Sequence, residues 1–348
     1  MALTLTVDGD RWRAHLREVS DATPGLVPVA KGNGYGFGLT RLARKAEWLG
    51  VDTLAVGTYE ELPEVASRFA GDLLVLTPWR PFGAALEVDP AYSRRVIHTV
   101  SRHTDLADLL GRQPDSRYVA ELLTSMTRHG MTGRDLRSAG RRATRGRLEG
   151  VAVHLPLART SHLGEVQRLL NDVVAAGLDA TTVWASHLTR EELVRLRAAY
   201  ADFTFRPRIG TSLWLGDRGA LRVTATVLDV HPVERGEPFG YRGRSAPKSG
   251  HLLVVSGGTA HGIGLESPMG ESTIKARAAT LARGGLDAVG FVRSPFTIDG
   301  KPRLFAEPPH MQASMLFLPH GPRVPRVGDQ IDVRVRYTAT AFDRVVIN

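Results

Sequence analysis

The sequence has 348 residues, of which 43% are hydrophobic and 23% charged, with a formal net charge of +9 and no cysteine. This composition is typical of a soluble globular protein with one large and one smaller domain, and the absence of cysteine excludes disulfides and thiolate metal sites. No apolar run approaches the roughly 20 residues of a membrane span, and the N-terminus lacks a signal-peptide pattern. We expect a cytoplasmic protein without a metal or a membrane partner.

The positive charge could indicate a nucleic-acid partner, but the arginines are scattered along the chain. One local run, GRRATRGR at 140–147, follows a helical pattern. We interpret it as a solvated helix face rather than a patch for phosphate backbones. The sequence therefore favours no nucleic-acid partner.

Up to about residue 216, apolar strand-like runs alternate with segments whose apolar residues recur every three or four positions. Continuous apolar runs are typical of buried parallel strands, and the intervening periodicity is typical of amphipathic helices. Eight repeats predict an α/β fold, a (β/α)8 TIM-like barrel over residues 1–220; an open doubly wound sheet is the alternative, but no Gly-x-Gly-x-x-Gly follows the first strand. The strand-like runs are 27–31, 52–58, 72–78, 93–100, 116–125, 149–157, 181–188 and 205–216.

Beyond about residue 220 this alternation stops. Short β-rich segments separated by Gly and Pro turns predict a smaller C-terminal β domain over residues 221–348. The strand-like opening at 3–8 precedes the first barrel helix, so its pairing with the β domain is an open alternative. The β-rich segments are 221–233, 251–258, 286–292, 303–309 and 329–340.

Polar residues and glycines fall where the predicted barrel strands end, which is where barrels place their chemistry. Each has a structural explanation as well, since Ser186 can cap a helix and His154 can be a satisfied core histidine. Their coincidence at one rim favours a functional site. The residues are Lys31, Arg128, His154, Ser186, Arg208, Gly210 and Thr211.

Four segments together resemble the alanine racemase family, whose members are pyridoxal-phosphate enzymes built as a barrel and a β domain. VAKGNGYGFG at 29–38 resembles the family's cofactor-lysine signature. The other three segments are similar to later family motifs and occur in the family's order. The resemblance covers about residues 4–217 well and the rest loosely. The three are SMTRHGM at 125–131, VAVHLPL at 151–157 and PRIGTSLWLG at 207–216.

The resemblance implies a role for each matching residue. Lys31 would hold pyridoxal 5'-phosphate as a Schiff base and later transfer the α-proton on the external aldimine. Arg208 would face the pyridine nitrogen, His154 would pack beside the ring, and Arg128 would contact the phenolic oxygen and the substrate. The cofactor's phosphate would be held by Tyr35, Ser186, Gly210 and Thr211.

The sequence departs from the family pattern at two places. Glu121 stands where the family commonly has a carbamylated lysine, and its carboxylate would pair with Arg128. The family's second base is a tyrosine offered across a dimer interface, but GGTAHGIG at 257–264 has Gly258 there, so His261 becomes the candidate second base. In PPHMQASM, Met311 is retained as a substrate contact and Gln312 replaces an aspartate.

The resemblance implies a homodimeric amino-acid racemase, similar to alanine racemase, that acts on a small amino acid and supplies D-alanine for the cell wall. Without the tyrosine, its activity would be weak. The alternatives are an enzyme of the same fold with another substrate or one-sided chemistry, and a cofactor-binding homologue with little or no turnover. A decarboxylase is disfavoured, because Arg208 stands where those enzymes place a carboxylate.

Overall fold

The computed structural model describes residues 2–140, 146–157, 161–265, 292–321 and 323–348. Contacts divide the chain into two compact units, Met1–Trp12 with Asp217–Asn348, here called the β unit, and Arg13–Gly216, here called the barrel unit. Most of the arginine run at 140–147 and of the predicted strand at 286–292 lies outside the described residues.

The first described elements are a strand, β1 (Leu3–Val7), and a helix, α1 (Gly9–Asp21). In the barrel unit, eight parallel strands follow, each hydrogen-bonded to the next, and the last pairs with the first to close the ring. The predicted barrel is confirmed. Its strands are β2 (Val27–Ala30), β3 (Thr53–Val56), β4 (Asp72–Val75), β5 (Val96–Val100), β6 (Arg117–Glu121), β7 (Arg147–His154), β8 (Thr182–Ser186) and β9 (Thr204–Ile209).

Helices alternate with these strands, and local sequence signals explain several helix ends. The last long helix begins after Thr189, whose hydroxyl accepts from the Glu192 N–H (3.2 Å) while the Glu192 carboxylate accepts from the Thr189 N–H (3.0 Å). Gly50, with φ +69°, ends the first helix after β2. The helices are α2 (Leu39–Leu49), α3 (Leu62–Ala66), α4 (Pro90–Ser93), α5 (His103–Arg112), α6 (Gly133–Gly140), α7 (Leu163–Ala175), α8 (Arg190–Ala199) and α9 (Thr211–Trp214).

Apolar side chains from the strands fill the barrel interior. Burying one aliphatic side chain of this kind contributes about 1.5–3 kcal/mol. Trp184 satisfies its one polar atom by donating Nε1–H to the Glu149 carbonyl (2.9 Å), and the Arg206 guanidinium lies 4.5 Å from its ring centre. The cluster comprises Val27, Val29, Ala55, Leu74, Ile97, Val119, Ala152 and Trp184.

Ion pairs join the strands near their amino ends. Arg117, the first residue of β6, donates two hydrogen bonds to Asp72, the first residue of β4 (2.5 and 2.6 Å), and one to Glu149 (2.7 Å). Arg206 pairs with Asp52, just before β3. Each of these arginines therefore has a carboxylate partner at the end of the barrel remote from the residues considered below.

In the β unit, one sheet contains eight strands in the order β13-β16-β15-β14-β17-β10-β1-β18. β1 lies between β10, where Leu5 pairs antiparallel with Val223, and β18, where Leu5 pairs parallel with Val345. The strands after the barrel are β10 (Leu221–Val233), β11 (Pro238–Phe239), β12 (Arg244–Ser245), β13 (Gly250–Ser256), β14 (Arg293–Ile298), β15 (Lys301–Phe305), β16 (Ala313–Pro319), β17 (Gln330–Val333) and β18 (Arg344–Ile347).

Membrane spans and metal centres were also sought in the structure. Among the described residues, no helix is both long and apolar enough to cross a membrane. The same part of the chain contains no group of three or more His, Cys, Asp or Glu side chains arranged to hold a metal ion.

Candidate active site

Lys31 directly follows β2, at the carboxyl end of the barrel strands. Its side chain reaches solvent, but the atoms packed around it withhold water from the ammonium group. This desolvation, with repulsion from Arg128 and Arg208, lowers the pKa of Lys31 below its ordinary value of 10.5, against attraction from Glu61. A lysine so placed has a larger neutral fraction, and a neutral amine can act as a nucleophile or a base.

Glu61 fixes the loop that carries Lys31. One carboxylate oxygen accepts a hydrogen bond from the Gly32 N–H (2.7 Å), and the other accepts from the Gly57 N–H just after β3 (2.6 Å). Position 57 has no room for a side chain, since a Cβ there would lie 2.9 Å from the Lys31 Cβ and 3.0 Å from Glu61 Oε2. The carboxylate therefore joins two strand ends and places a negative charge near Lys31. The sequence analysis missed this residue.

Tyr35 is buried beside the loop after β9. Its φ of +55° is a left-handed conformation that is rare for a non-glycine residue. The phenol lies against Gly210, where an added Cβ would overlap the hydroxyl oxygen and lie 2.9 Å from Cζ, and it hydrogen-bonds the Thr211 side chain. Burial, with the nearby charge of Glu61, raises the pKa of Tyr35 to about 12, so the hydroxyl keeps its proton and can donate it to an anion.

Two buried groups of opposite charge, Arg208 and Glu121, are 5% and 4% exposed. Arg208 donates Nη2–H to the Val153 carbonyl (2.9 Å), but its Nε and the Glu121 Oε2 have no hydrogen-bond partner. Desolvation lowers the pKa of Arg208 to about 10 and raises that of Glu121. The structure differs from the expected pair with Arg128: the stronger attraction on Glu121 comes from the buried Arg208, while Arg128 is exposed on the loop after β6.

Two histidines stand together on neighbouring strands. His154 ends β7 opposite Ser186, which ends β8, and the His154 ring lies 5.0 Å from that of His187. His187 donates Nδ1–H to the Leu155 carbonyl (2.6 Å). Desolvation, then repulsion from Arg208, lowers the pKa of His154 to about 3, and desolvation lowers the pKa of His187, so both rings are neutral at pH 7. The sequence analysis missed His187, whose only signal is its place after Ser186.

The barrel unit contains eight of the site residues singled out in the sequence. All eight lie at the carboxyl end of a barrel strand or in the segment that follows it. This common position follows from the barrel's parallel strands, which all end at the same rim. The residues are Lys31, Tyr35, Arg128, His154, Ser186, Arg208, Gly210 and Thr211.

The other two predicted site residues, His261 and Met311, lie in the β unit. His261 is 8% exposed, its Nδ1 accepts from the Gly258 N–H (3.2 Å), and its Nε2–H donates to Asp343 (3.0 Å). Both ring nitrogens are therefore engaged, and proton exchange would require one bond to break. Met311, before β16, is 73% exposed.

We expect Glu121→Gln to make the cofactor-free protein more stable at pH 8 than the wild type. Because the folded-state pKa of Glu121 is raised above its ordinary 4.5, its favourable contribution is present at low pH and is lost as the pH rises through the folded value. A buried group without a partner typically costs about 1–3 kcal/mol, which sets the scale of the gain. Thermal unfolding from pH 4 to pH 8 measures it.

The exposed Glu18, on α1, offers a control for this prediction. Glu18→Gln should follow the wild type at every pH. The Glu121→Gln advantage should shrink toward pH 4, where the wild-type carboxyl becomes protonated as well. A Glu121→Gln protein that is less stable at pH 8 would show that the attraction to Arg208 outweighs the cost of burial.

Comparison with known proteins shows where this barrel belongs. The alanine racemase of Nitratidesulfovibrio vulgaris (strain Miyazaki F) is 27% identical over 274 residues, covering 71% of this chain and 72% of its own. Alanine racemase from Bartonella henselae, solved with covalently bound pyridoxal phosphate, superposes with a TM-score of 0.73 at 16% identity over all of both chains. Histidine racemase from Leuconostoc mesenteroides gives 0.67 at 15% identity, over 100% of this chain and 98% of its own.

The family-level match is more extensive. The model of the alanine racemase N-terminal domain matches residues 7–208, which is more than half of the chain. The matched range begins at the end of β1 and runs into β9, so it takes in the Lys31 loop and seven complete barrel strands. The chain therefore belongs to the alanine racemase family.

Proposed function

We propose that the protein is an amino-acid racemase that uses pyridoxal 5'-phosphate. The observation that carries this proposal is Lys31, an amine of lowered pKa at the mouth of the barrel, beside Arg128 and Arg208. An aldehyde cofactor needs a neutral amine for its attachment, and its phosphate needs cations and hydrogen-bond donors. The family match supports the same reading.

The residues at the rim fit this cofactor. The aldehyde would meet the Lys31 amine, and the Arg208 Nε–H, buried without a partner, is a donor that a ring nitrogen would satisfy. Arg128 is a cation for the phenolic oxygen, and His154 is a neutral ring. Hydroxyls and backbone N–H groups suit a phosphate. They come from Tyr35, Ser186, Gly210 and Thr211.

Proton transfer falls to the chain itself. When bound, pyridoxal phosphate withdraws electrons from the α-carbon of an attached amino acid and so makes the α-proton removable. Lys31 Nζ, in its neutral form, accepts that proton on one face or returns it in its charged form. Arg208 remains a cation at neutral pH even with its lowered pKa, so it disfavours a second positive charge on the ring nitrogen and limits side reactions.

One observation favours a second candidate function, α-proton exchange on one face without inversion. Racemisation needs a proton removed from one face of the α-carbon and another delivered to the opposite face. The turn at 257–264 has Gly258 where the resemblance expects tyrosine, and His261 uses both ring nitrogens in hydrogen bonds. If no other group serves the second face, Lys31 alone exchanges the α-proton.

The finer features are proposed on the family resemblance. They are alanine as the first substrate to test, a contribution to D-alanine supply for the cell wall, a cytoplasmic location, and a homodimer in which the β unit of one copy serves the barrel of the other. A histidine racemase among the structural neighbours makes histidine the second substrate to test. Arg128 and Met311 are the proposed substrate contacts.

The test is incubation of the cofactor-loaded protein in heavy water with each enantiomer of alanine and of histidine. A racemase incorporates deuterium at the α-carbon and forms the opposite enantiomer, whereas the second candidate function gives deuterium with retained configuration. Repeating the experiment across the common amino acids covers other substrates. Absence of exchange with all of them would leave a cofactor-binding protein and reject both enzyme functions.

A further inference from the structure

A second group of polar residues lies in the β unit. Glu307, 4% exposed, accepts a hydrogen bond from His310 Nε2–H at one carboxylate oxygen (2.7 Å) and from the Tyr241 N–H at the other (3.0 Å). Gly240, with φ +70°, allows this approach, because a Cβ there would lie 2.7 Å from the Glu307 carboxyl carbon. The Tyr241 and His310 rings meet edge to face at 5.0 Å. We call these four residues the Glu307 cluster.

Glu307 determines which nitrogen of His310 can exchange a proton. A carboxylate only accepts hydrogen bonds, so Nε2 carries the hydrogen and Nδ1 has the lone pair. The side chain is 34% exposed, and no described residue hydrogen-bonds Nδ1. A buried carboxylate that orients an imidazole and stabilises its charged form is the arrangement of a general base. His261, with both nitrogens engaged, lacks an open proton site.

The backbone explains why position 258 has no side chain. The Thr259 N–H donates to the His310 carbonyl (2.8 Å), and the Ala260 N–H donates to that of Met311 (2.9 Å). A Cβ on Gly258 would overlap the His310 carbonyl oxygen and lie 2.7 Å from that of Met311. The space in which a tyrosine would begin is therefore occupied by the backbone of His310 and Met311.

We propose that His310, oriented by Glu307, is the second proton-transfer group of the reaction. This proposal rests on the proposed racemase function, which makes the adjacent Met311 a substrate contact. In one direction, the Cα–H bond breaks, its proton moves to His310 Nδ1, and its electron pair stays on the substrate. Lys31 gives a proton to the opposite face of the same carbon. The step consumes no oxidant or reductant, and exchange with water returns both groups to their starting states.

The experiment compares His310→Gln with the wild type, both loaded with cofactor, in heavy water. Glutamine keeps an N–H donor for Glu307 but cannot take up a proton. We expect inversion to fall by about 10²–10⁴-fold, while deuterium exchange on the Lys31 face stays within roughly threefold of wild type. His310→Ala should lose inversion in the same way and recover part of it with added imidazole, which a purely structural role of the histidine would not allow.

Control variants separate this proposal from its rivals. The exposed His320→Gln should behave as wild type. If His261→Gln or Tyr241→Phe loses inversion while His310→Gln retains it, His310 is not the second group. Wild-type inversion that survives His310→Gln also overturns the proposal. Wild-type protein with no α-proton exchange rejects the racemase function itself, whereas exchange without inversion leaves Lys31 chemistry standing and rejects only a second proton-transfer group.

Discussion

Replacing Lys31 by alanine is expected to abolish covalent retention of pyridoxal 5'-phosphate and to lower α-proton exchange by at least roughly 10⁴-fold, because attachment and proton transfer both depend on this amine. The structure supports this expectation with the position of Lys31 at the strand ends and its lowered pKa. The wild type should show the visible absorbance of the bound cofactor, and Lys31→Ala should not. Borohydride reduction followed by peptide mapping should label Lys31.

Lys45 is the matched control, because residues 13–216 contain two lysines, at 31 and 45. Its pKa is also lowered, by burial and by Arg13 and Arg17, but it lies on α2 with its ammonium 4.8 Å from the Trp48 ring centre. Lys45→Ala should keep the absorbance and the exchange. A cofactor label on Lys45 after reduction would contradict the assignment of the rim as the active site.

Gly210→Ala is expected to weaken cofactor binding by roughly 5- to 150-fold. The added methyl group would overlap the Tyr35 hydroxyl and lie 2.9 Å from Cζ. Tyr35 is 5% exposed and has little room to move, and overpacking of this kind typically costs about 1–3 kcal/mol, which converts to that range of affinity. Titration of the cofactor-free protein with pyridoxal phosphate, followed by absorbance, measures the effect.

Gly111→Ala provides the control, since Gly111 lies on α5 with no other group near enough to meet a Cβ. Alanine in a helix is favoured over glycine by about 0.5–1 kcal/mol, so this variant should bind the cofactor normally and be slightly more stable. Tyr35→Phe separates loss of the hydroxyl from displacement of the ring. Wild-type affinity in Gly210→Ala would show that Tyr35 does not help to hold the phosphate.

The sequence predicted the barrel because strand and helix periodicity are local properties. The observed β10 spans the predicted run 221–233, and β2 ends one residue before Lys31. The residues that sequence analysis missed act through contacts between distant segments. Glu61 matters because its side chain reaches Gly32, and Thr58 to Glu61 reads only as a helix start. Glu307 looks like a polar loop residue until folding places it against Tyr241 and His310.

The Glu121 environment was beyond sequence analysis for a related reason. Its spacing from Arg128 predicted a pair between neighbours in the chain. The fold instead buries Glu121 together with Arg208, on another strand, and leaves Arg128 exposed. Desolvation depends on all the atoms around a group, and these come from many segments, so spacing along one of them does not determine the partner.

The ion pairs near the amino ends of the strands have a consequence for how ligands arrive. There, Arg117 and Arg206 are matched by carboxylates, whereas Lys31, Arg128 and Arg208 concentrate positive charge at the opposite rim. The barrel unit is thus electrically asymmetric along its axis. Anions such as a phosphorylated cofactor or an amino-acid carboxylate are drawn toward the open mouth from about one Debye length, about 8 Å at physiological ionic strength. Salt therefore slows their capture without altering the fit of the pocket that receives them.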